Sequence, residues 1–368
     1  LTLKFKDLIQ CLEAFAPREF QESYDNSGLQ IGDPETEIKG VLIGLDCTPE
    51  LIDEALLLKC NVIITHHPLL FKPLRHIGTS SETERMVAAL IRNNIQLYAF
   101  HTNFDNVLNG VNQSLAHALD IDLHSVLAPK SAHWFKLVVF VPPSHENTLA
   151  EALFNIGAGT LGKYSKCSYT STGQGSFLPD LNANPYSGTS GTLSYTSETR
   201  LELVFPKQLL SKITETVHAH HPYETPAYDI LALENQNSET GSGAWGILKN
   251  PMDGKQFMKR ICEVLQCPVL SYSGSVQHPI KKVGLCGGSG SFLIPNALHK
   301  QLDAFITADI SYHNFFHGSA NFLLVNAGHA ETEQFTLKQI ARVIQKEFPK
   351  FAIHFTATST SPVKYFII

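Results

Sequence analysis

The sequence lacks the cysteine pairs that mark disulfide frameworks and thiolate zinc sites. Its seven cysteines are an odd number, they are scattered along the chain, and none belongs to a C-x-x-C motif. This usage is typical of a reducing compartment, and we expect a cytoplasmic protein.

Long hydrophobic runs are also missing. No apolar run approaches the roughly 20 residues of a membrane helix. Residues 1–10 carry two lysines without a signal-type apolar core behind them. We therefore expect no membrane partner.

Positive charge is sparse and dispersed. The chain has 28 Lys+Arg against 34 Asp+Glu, a net charge of −6, and no Lys/Arg-rich run. Such a chain lacks the basic surface that grips nucleic-acid phosphates, so we expect no nucleic-acid partner. With 368 residues, 43% hydrophobic and 17% charged, it is typical of a globular protein of two or three domains.

What the sequence does have is 17 histidines and a clear order of elements. Residues 1–130 alternate short β-branched runs with amphipathic helical patterns, which predicts βα units around a parallel sheet. The predicted strands are residues 40–45, 61–65 and 95–100, and the predicted crossover helices are residues 49–59 and 82–93.

The middle of the chain, residues 131–235, has a different pattern. It predicts the order β-α-β-β-α-β, which is a ferredoxin-like α+β module. Residues 173–191 are rich in Gly, Ser, Asn and Pro, which predicts a loop between its halves.

Residues 236–368 return to the first pattern and carry a weak internal repeat. The segment that ends at His67 can be aligned with one that ends at Asp309, each running strand, turn, helix, strand. Chance similarity between two βαβ units is the alternative. The sequence thus predicts an α/β core domain of two βαβ-type lobes, residues 1–130 and 236–368, interrupted by the ferredoxin-like insert at 131–235.

Polar residues cluster at the carboxyl ends of the predicted core strands. In open α/β sheets this edge binds ligands, so one cleft can collect these side chains. They are Asp46, His66, His67, His101, Asp105, Asp309, His313, His329 and Glu333.

Five of these residues have the chemistry of catalytic metal ligands. Three histidines (His66, His67, His329) and two carboxylates (Asp105, Glu333) suffice for two ions if a carboxylate or water bridges them. The adjacent histidines can share a pocket only where the strand ends, and the last two residues share one helix face four positions apart.

Structural interpretations compete with each motif. A His-His pair often has no metal, and a His/Glu pair four residues apart is more often a surface contact. His220-His221-Pro222 repeats the same text at the end of a predicted helix, where histidines commonly cap carbonyl groups. The glycines of Cys286–Gly290 suit either a phosphate at their amides or simple tight turns.

Several motifs in order resemble the family of GTP cyclohydrolase I type 2 homologues, the NGG-interacting-factor-three-like proteins. The motifs are YDNSGLQIG from Tyr24, ITHHPLLF from Ile64, HTNFD from His101, CGGSG from Cys286, ITADISYH from Ile306 and NAGHAETE from Asn326. The resemblance covers nearly the whole chain. GAGTLGKYSKCSYTSTGQGSF and HHPYETPAYDI resemble the PII/CutA-like insert of the longer bacterial members.

The resemblance implies a dinuclear metal site formed by the same five residues, His66, His67, Asp105, His329 and Glu333. It also implies a toroidal homohexamer, with the inserts over its openings. His101, Asp309 and His313 match family positions near the site, which implies contacts to the ligands or to substrate. Where members often have glycine before the aspartate, this chain has Ala308.

We therefore expect a metal-dependent hydrolase with two divalent ions (zinc, iron or manganese) that acts on a nucleotide-like or phosphorylated small molecule. His101 or His313 would shuttle protons, because imidazole titrates near neutral pH. The alternative is a metal-stabilised regulatory or scaffold hexamer whose insert binds a small molecule or a protein. Redox chemistry at iron is a third option.

Overall fold

The computed structural model describes residues 3–130, 134–235 and 238–366. The strands are β1 Gly28–Ile31, β2 Val41–Gly44, β3 Val62–Thr65, β4 Gln96–Ala99, β5 Ile121–Pro129, β6 Trp134–Val141, β7 Ser168–Phe177, β8 Ser194–Pro206, β9 Tyr228–Leu233, β10 Gly241–Asp253, β11 Ser271–Ser273, β12 Pro279–Ser289, β13 Ala304–Ala308, β14 Leu323–Asn326 and β15 Ile353–Phe355. The helices are α1 Phe5–Phe15, α2 Pro49–Leu57, α3 Glu82–Arg92, α4 Thr102–Asp105, α5 Val111–Ala118, α6 Glu146–Asn155, α7 Leu210–His220, α8 Gly254–Leu265, α9 Ile294–His299, α10 His329–Glu333 and α11 Thr336–Glu347.

The chain forms two compact units. The first comprises Leu1–Pro129 together with Ser238–Ile368, and the second is Lys130–Asn237. The boundary positions expected from the sequence, residues 131 and 236, lie outside the described residues.

One sheet of the first unit has the order β1-β4-β3-β2-β15. Strands β15, β2, β3 and β4 are mutually parallel, and β1 runs antiparallel to β4. Strands β2, β3 and β4 are fully buried, because helices cover both faces of the sheet. Helices α1 and α11 pack on one face, and α2 and α3 pack on the other. The sheet and crossover helices predicted for residues 40–100 are therefore confirmed.

The two crossover helices begin at N-caps that the sequence supplies. The hydroxyl of Thr48 accepts a hydrogen bond from the Leu51 amide ahead of Pro49, and the hydroxyl of Ser81 does the same for the Glu84 amide. These caps fix where each helix starts after its loop.

The other sheet of this unit has the order β11-β14-β13-β12-β10-β5. Its central strands β12, β13 and β14 are parallel, as β2, β3 and β4 are in the first sheet. Helices α5 and α8 pack on one face and α9 packs on the other. Both sheets of the unit therefore contain three neighbouring parallel strands that follow one another along the chain.

Each sheet also takes a strand from the far half of the sequence. Strand β5, from the first lobe of the sequence, pairs with β10 in the second sheet. Strand β15, from near the end of the chain, pairs with β2 in the first sheet. Neither sheet can therefore form completely from one half of the sequence.

The second unit contains a single four-stranded antiparallel sheet with the order β7-β8-β6-β9. Along the chain the order is β6-α6-β7-β8-α7-β9, which is the predicted β-α-β-β-α-β sequence of elements. Apolar side chains from β6 and β8 pack against α6 and α7 to form its core.

The expected loop at residues 173–191 is partly wrong, because β7 continues to Phe177. Ten residues of β7 pair with β8, from Ser168 opposite Leu203 to Phe177 opposite Ser194. None of the ten is buried, so no hydrophobic alternation marks this strand in the sequence. Backbone pairing with β8 outweighs the Ser/Gly composition.

Among the described residues, we find no helix that is both long enough and apolar enough to cross a bilayer.

We predict that residues 130–237 fold when expressed alone, because the apolar core of this unit consists of its own side chains. Thermal unfolding followed by circular dichroism and by the fluorescence of Trp134, the fragment's single tryptophan, should show one cooperative transition. Phe205→Ala, at a fully buried position, should reduce the unfolding free energy by about 3–5 kcal/mol. A gradual melt of the unmodified fragment would contradict the prediction.

Candidate metal centre

Two adjacent histidines follow β3 at the carboxyl edge of the first sheet. The Thr65 hydroxyl donates to the His67 carbonyl oxygen over 2.7 Å, which turns the chain as the strand ends. The rings of His66 and His67 therefore do not point to opposite faces, and their centroids lie 4.9 Å apart. His66 is fully buried.

His101 and Asp105 lie at the same edge, after the neighbouring strand β4. His101 caps α4, and its carbonyl oxygen accepts the amide of Asp105 over 3.1 Å. One helical turn thus brings both side chains towards His66. The His66 and His101 ring centroids are 5.3 Å apart, and His66 Nε2 lies 3.6 Å from Asp105 Oδ1.

The second sheet contributes His329 and Glu333 through α10, which follows β14. Helix α10 consists of the five residues from His329 to Glu333, so the side chains of its first and last residues lie one turn apart on one face. Their Nε2 and Oε2 atoms are 3.3 Å apart. Glu333 also faces the first sheet, at 3.6 Å from His66 Nε2 and 3.1 Å from His67 Nε2.

Three of these polar atoms are buried without a hydrogen-bond partner among the described residues. They are His66 Nε2, Asp105 Oδ1 and Glu333 Oε2. Unpaired buried polar atoms are costly, and three at one point need a common explanation. Two ligands of a tetrahedral ion, each about 2.1 Å from it, lie roughly 3.4 Å apart. The observed separations of 3.1–3.6 Å bracket this ligand-to-ligand distance.

Within the part of the chain that the structure describes, two groups of side chains are close enough to hold a metal ion, and they share His67. One consists of His66, His67 and His101, and the other of His67, His329 and Glu333. The five residues expected as ligands are thus brought together. His101, expected as a proton shuttle, belongs to one of the groups.

Every histidine of the centre has its Nδ1 held by an acceptor, which leaves Nε2 facing the other ligands. The partners of Nδ1 are the Phe100 carbonyl oxygen for His66 (2.8 Å), Asp46 for His67 (2.7 Å), Asp25 for His101 (2.7 Å) and Asp309 for His329 (2.6 Å). Such outer partners fix the tautomer and ring orientation of metal-binding histidines.

The carboxylates make this place attractive to positive charge. Burial alone would lower the pKa of His67, but the hydrogen bond to Asp46 and the nearby carboxylate of Glu333 outweigh it and raise this pKa to about 10. The carboxylate of Glu333 is the main cause that raises the pKa of His329 to about 9. Burial opposes ionisation of Glu333, yet the histidines hold its pKa well below the ordinary value. Protons and cations therefore compete for the same side chains.

Glycines of β12 make room for the centre. A Cβ atom on Gly288 would lie 2.2 Å from Glu333 Oε1 and 3.1 Å from His329 Nε2, and its φ of +60° also favours glycine. The amides of Gly287 and Gly288 donate to Asn112 Oδ1 and Thr332 Oγ1 over 3.2 and 3.0 Å. They are therefore not available to a phosphate, and the phosphate-cradle interpretation is wrong for these two amides.

The remaining expected residues fall into different places. Asp309 adopts a left-handed φ of +54° and orients His329. His313 lies exposed in a 3₁₀ turn, with ring contacts to Tyr312 and Phe316, and it contributes to neither ligand group. The strand-end pattern and the family resemblance both predict His313 near the centre, whereas the turn leaves its side chain exposed to solvent.

The second His-His-Pro motif, which begins at His220, has a structural role, because its histidines contact carbonyl groups. His220 Nδ1 interacts with the Thr216 carbonyl oxygen of its own helix over 3.0 Å. His221 Nε2 interacts with the Phe140 carbonyl oxygen over 2.8 Å. Both rings are thus engaged with backbone groups of the second unit.

Sequence reasoning missed Asp25. Its carboxylate accepts from the Ser27 hydroxyl over 2.6 Å and from both the amide and the hydroxyl of Thr102, while it orients His101. The only signal was its place in the YDNSGLQIG motif, to which we attached no chemistry.

Comparisons with known proteins agree over nearly the whole chain. The model of the family described as Duf34/NIF3 (NGG1p interacting factor 3) matches residues 3–362. A Bacillus subtilis protein named GTP cyclohydrolase 1 type 2 homolog is 38% identical over 309 residues, 84% of this chain and 83% of that protein. A Staphylococcus epidermidis protein of the same name is 32% identical over 99% of this chain and all of that one. The crystal structure of a Bacillus cereus protein related to NIF3 superposes with a TM-score of 0.84, at 33% identity and full coverage of both chains.

We predict that Gly288→Ala lowers Zn²⁺ affinity by at least roughly 100-fold, because the added methyl displaces Glu333. Competition with a chromophoric chelator measures this affinity. Gly173→Ala is the matched control, since a Cβ there meets no atom within 4 Å. Equal affinities of the two variants would argue against the placement of Glu333.

Proposed function

The chain belongs to the Duf34/NIF3 (NGG1p interacting factor 3) family, and from this premise we propose that it is a metal-dependent hydrolase with a dinuclear centre. The observation that carries the proposal is the group of three buried atoms, on His66, Asp105 and Glu333, that have no hydrogen-bond partner among the described residues. Their placement supports a cation as the common partner. The donor set of imidazole and carboxylate suits zinc, iron or manganese.

Six residues would hold two divalent ions: His66, His67, His101, Asp105, His329 and Glu333. Two ligand groups that share His67 support two ions rather than one. When bound, such ions supply Lewis-acid activation of the substrate and of a water nucleophile.

The chain's own residues orient the ligands and shape access to them. Asp46, Asp25 and Asp309 keep three imidazoles in the orientation that presents Nε2. The fully buried His66 closes the inner side of the centre, whereas the His329 side chain is 37% exposed and leaves the outer side open to a substrate.

The position of His101 changes the role we propose for it. A proton shuttle must reach the reacting group directly or through one water. His101 shares a possible ligand group with His66 and His67, so we propose that it holds a metal. His313 lies exposed with ring contacts to Tyr312 and Phe316, and its role as a proton shuttle stays a prediction.

An aromatic pair beside the centre supports a nucleotide-like or phosphorylated small molecule as substrate. The exposed rings of Tyr24 and Phe71 lie 6.3 Å apart. Tyr24 directly precedes Asp25, the partner of His101 Nδ1, so the chain brings this ring next to the centre.

The loop that carries Phe71 is tied to the segment that follows Tyr24. Asn26 Nδ2 donates to the Leu70 carbonyl oxygen over 2.8 Å, and the Leu70 amide donates to Gln30 Oε1 over 3.1 Å. The same exposed loop carries Lys72 and Arg75. Aromatic faces for a heterocycle and cations for a phosphate are thus available on two segments joined by hydrogen bonds.

The proposed hydrolase is tested with ligand variants. We expect the metal-loaded wild type to hydrolyse a member of a phosphoester, nucleotide and cyclic-amide panel. His66→Ala and Glu333→Gln should lose most of the bound metal and reduce kcat/KM by roughly 100-fold or more, because each removes a ligand. Metal content by mass spectrometry and initial rates are measured together. His220→Ala, in the second unit, is the control that should keep both. Full metal retention in both ligand variants would defeat the assignment.

We predict that Tyr24→Ala and Phe71→Ala raise KM for the active substrate while the bound metal is unchanged. Loss of one stacking contact of about 1–3 kcal/mol corresponds to roughly 5- to 150-fold in KM. Tyr169→Ala removes an equally exposed ring in the second unit and should leave KM unaltered. If neither substitution changes KM, the substrate does not bind at this aromatic pair.

A regulatory or scaffold protein is the second candidate, and one feature of the second unit favours it. A surface cavity of about 600 Å³ lies between α6 and α7, lined in part by Asn147, Glu151 and Thr216.

We propose that this unit is a PII/CutA-like module of a cytoplasmic homohexamer. All seven cysteines are free, which supports a reducing compartment. A small-molecule thermal shift that survives Glu333→Gln, without any hydrolysis, would favour this candidate over the hydrolase.

A further inference from the structure

We propose that residues 356–366, which we call the strap, stabilise the metal centre. The strap fixes the orientation of His67 and the position of α10. The strap follows β15 and runs along the carboxyl edge of the first sheet towards α10. This inference rests on the metal-binding half of the proposed function. It does not depend on hydrolysis.

The strap begins with a hydrogen-bonded attachment to α2. The hydroxyl of Thr356 and the amide of Ala357, the latter over 2.9 Å, both donate to the carboxylate of Glu54. The Thr358 amide donates to the Thr356 hydroxyl over 3.1 Å. These contacts direct the chain away from β15 and across the edge where β2 ends.

Its central contact reaches the centre through one carboxylate. The Thr360 hydroxyl donates to Asp46 Oδ2 over 3.1 Å, and Asp46 Oδ1 is the partner of His67 Nδ1. Both carboxylate oxygens are thereby engaged, so the plane of the carboxylate is fixed. His67 belongs to both possible ligand groups, and its orientation therefore affects both.

The other orienting carboxylates are fixed by residues close to them in sequence or to the histidine they serve. Asp25 is held by Ser27 and by Thr102, the neighbour of His101. Asp309 is set by its own left-handed backbone directly after β13. Asp46 has Thr360 as the partner of its Oδ2, 314 residues away. The strap thus supplies for His67 what local residues supply for His101 and His329.

Its last contact lies on the second sheet's side of the centre. The Tyr365 hydroxyl donates to Glu331 Oε1 over 2.8 Å. Glu331 belongs to α10, between His329 and Glu333. The strap therefore touches an orienting group of the first sheet and the ligand-bearing helix that follows the second sheet, and it links the two sources of ligands.

Hydrogen bonds hold the strap, with little apolar burial. Residues 362–366 are all exposed, and Phe366 is 92% exposed. Because detachment of the strap would expose no hydrophobic core, we expect the rest of the fold to remain intact without it. The strap then governs how firmly the centre keeps its ions rather than whether the chain folds.

The test uses the full chain with Co²⁺ and Zn²⁺ as probes. Thr360→Val removes the hydroxyl at constant shape, and Thr360→Ser restores it. Ser359→Ala removes a neighbouring exposed hydroxyl as the matched control, and Tyr365→Phe removes the second contact alone. The visible absorption of bound Co²⁺ reports ligand geometry, and the rate of Zn²⁺ loss to excess chelator reports retention.

We expect Thr360→Val to release Zn²⁺ roughly 3- to 10-fold faster, below the 10- to 100-fold that loss of a direct outer partner costs. Its Co²⁺ spectrum should shift, Thr360→Ser should restore both readouts, and Tyr365→Phe should accelerate release alone. Ser359→Ala should match the wild type.

Wild-type rates and spectra in both Thr360→Val and Tyr365→Phe would overturn the inference while the metal centre stands. A wild-type protein that binds neither ion would overturn the metal centre and the inference together. Equal unfolding temperatures of the metal-free variants exclude a general loss of structure.

Discussion

The structure depends on four histidines whose Nδ1 atoms are each hydrogen-bonded to a fixed acceptor. Their Nε2 atoms therefore face the same small volume. Around that volume lie a deeply buried glutamate and an aspartate whose inner oxygen has no hydrogen-bond partner in the described part of the chain. A folded protein does not keep such a group of polar atoms without compensation. The surrounding packing, with its glycine backbone on one side and its strand ends on the other, serves to keep these atoms close.

Much of this arrangement could be predicted because parallel strands impose it. Polar residues that follow buried strands must gather at one edge, so the approach of His66, His67 and Asp105 follows from the pattern of the first sheet. The approach of His329 and Glu333 to these residues is predicted only by the weak internal repeat together with the spacing of the two residues on α10. Family motifs in the same order gave the same residues.

The rest lay beyond the sequence because it depends on the geometry of loops. His313 follows a strand just as Asp309 does, yet its turn leads outwards. Asp25 reaches His101 across 76 residues and Thr360 reaches Asp46 across 314, and no local spacing announces such pairs. The sequence around the glycines of β12 predicts a turn or a phosphate site, whereas their missing side chains leave space for Glu333. An absent atom has no pattern of its own.

The exchange of strands between the halves of the core has a consequence for biosynthesis. Strand β2 emerges early from the ribosome, but its parallel neighbour β15 follows some 300 residues later. Until then one edge of the first sheet is open, and the insert, whose strands pair only with one another in the described residues, can finish folding first. A chain interrupted before residue 353 carries an exposed sheet edge, the kind of surface to which chaperones and other nascent chains adhere.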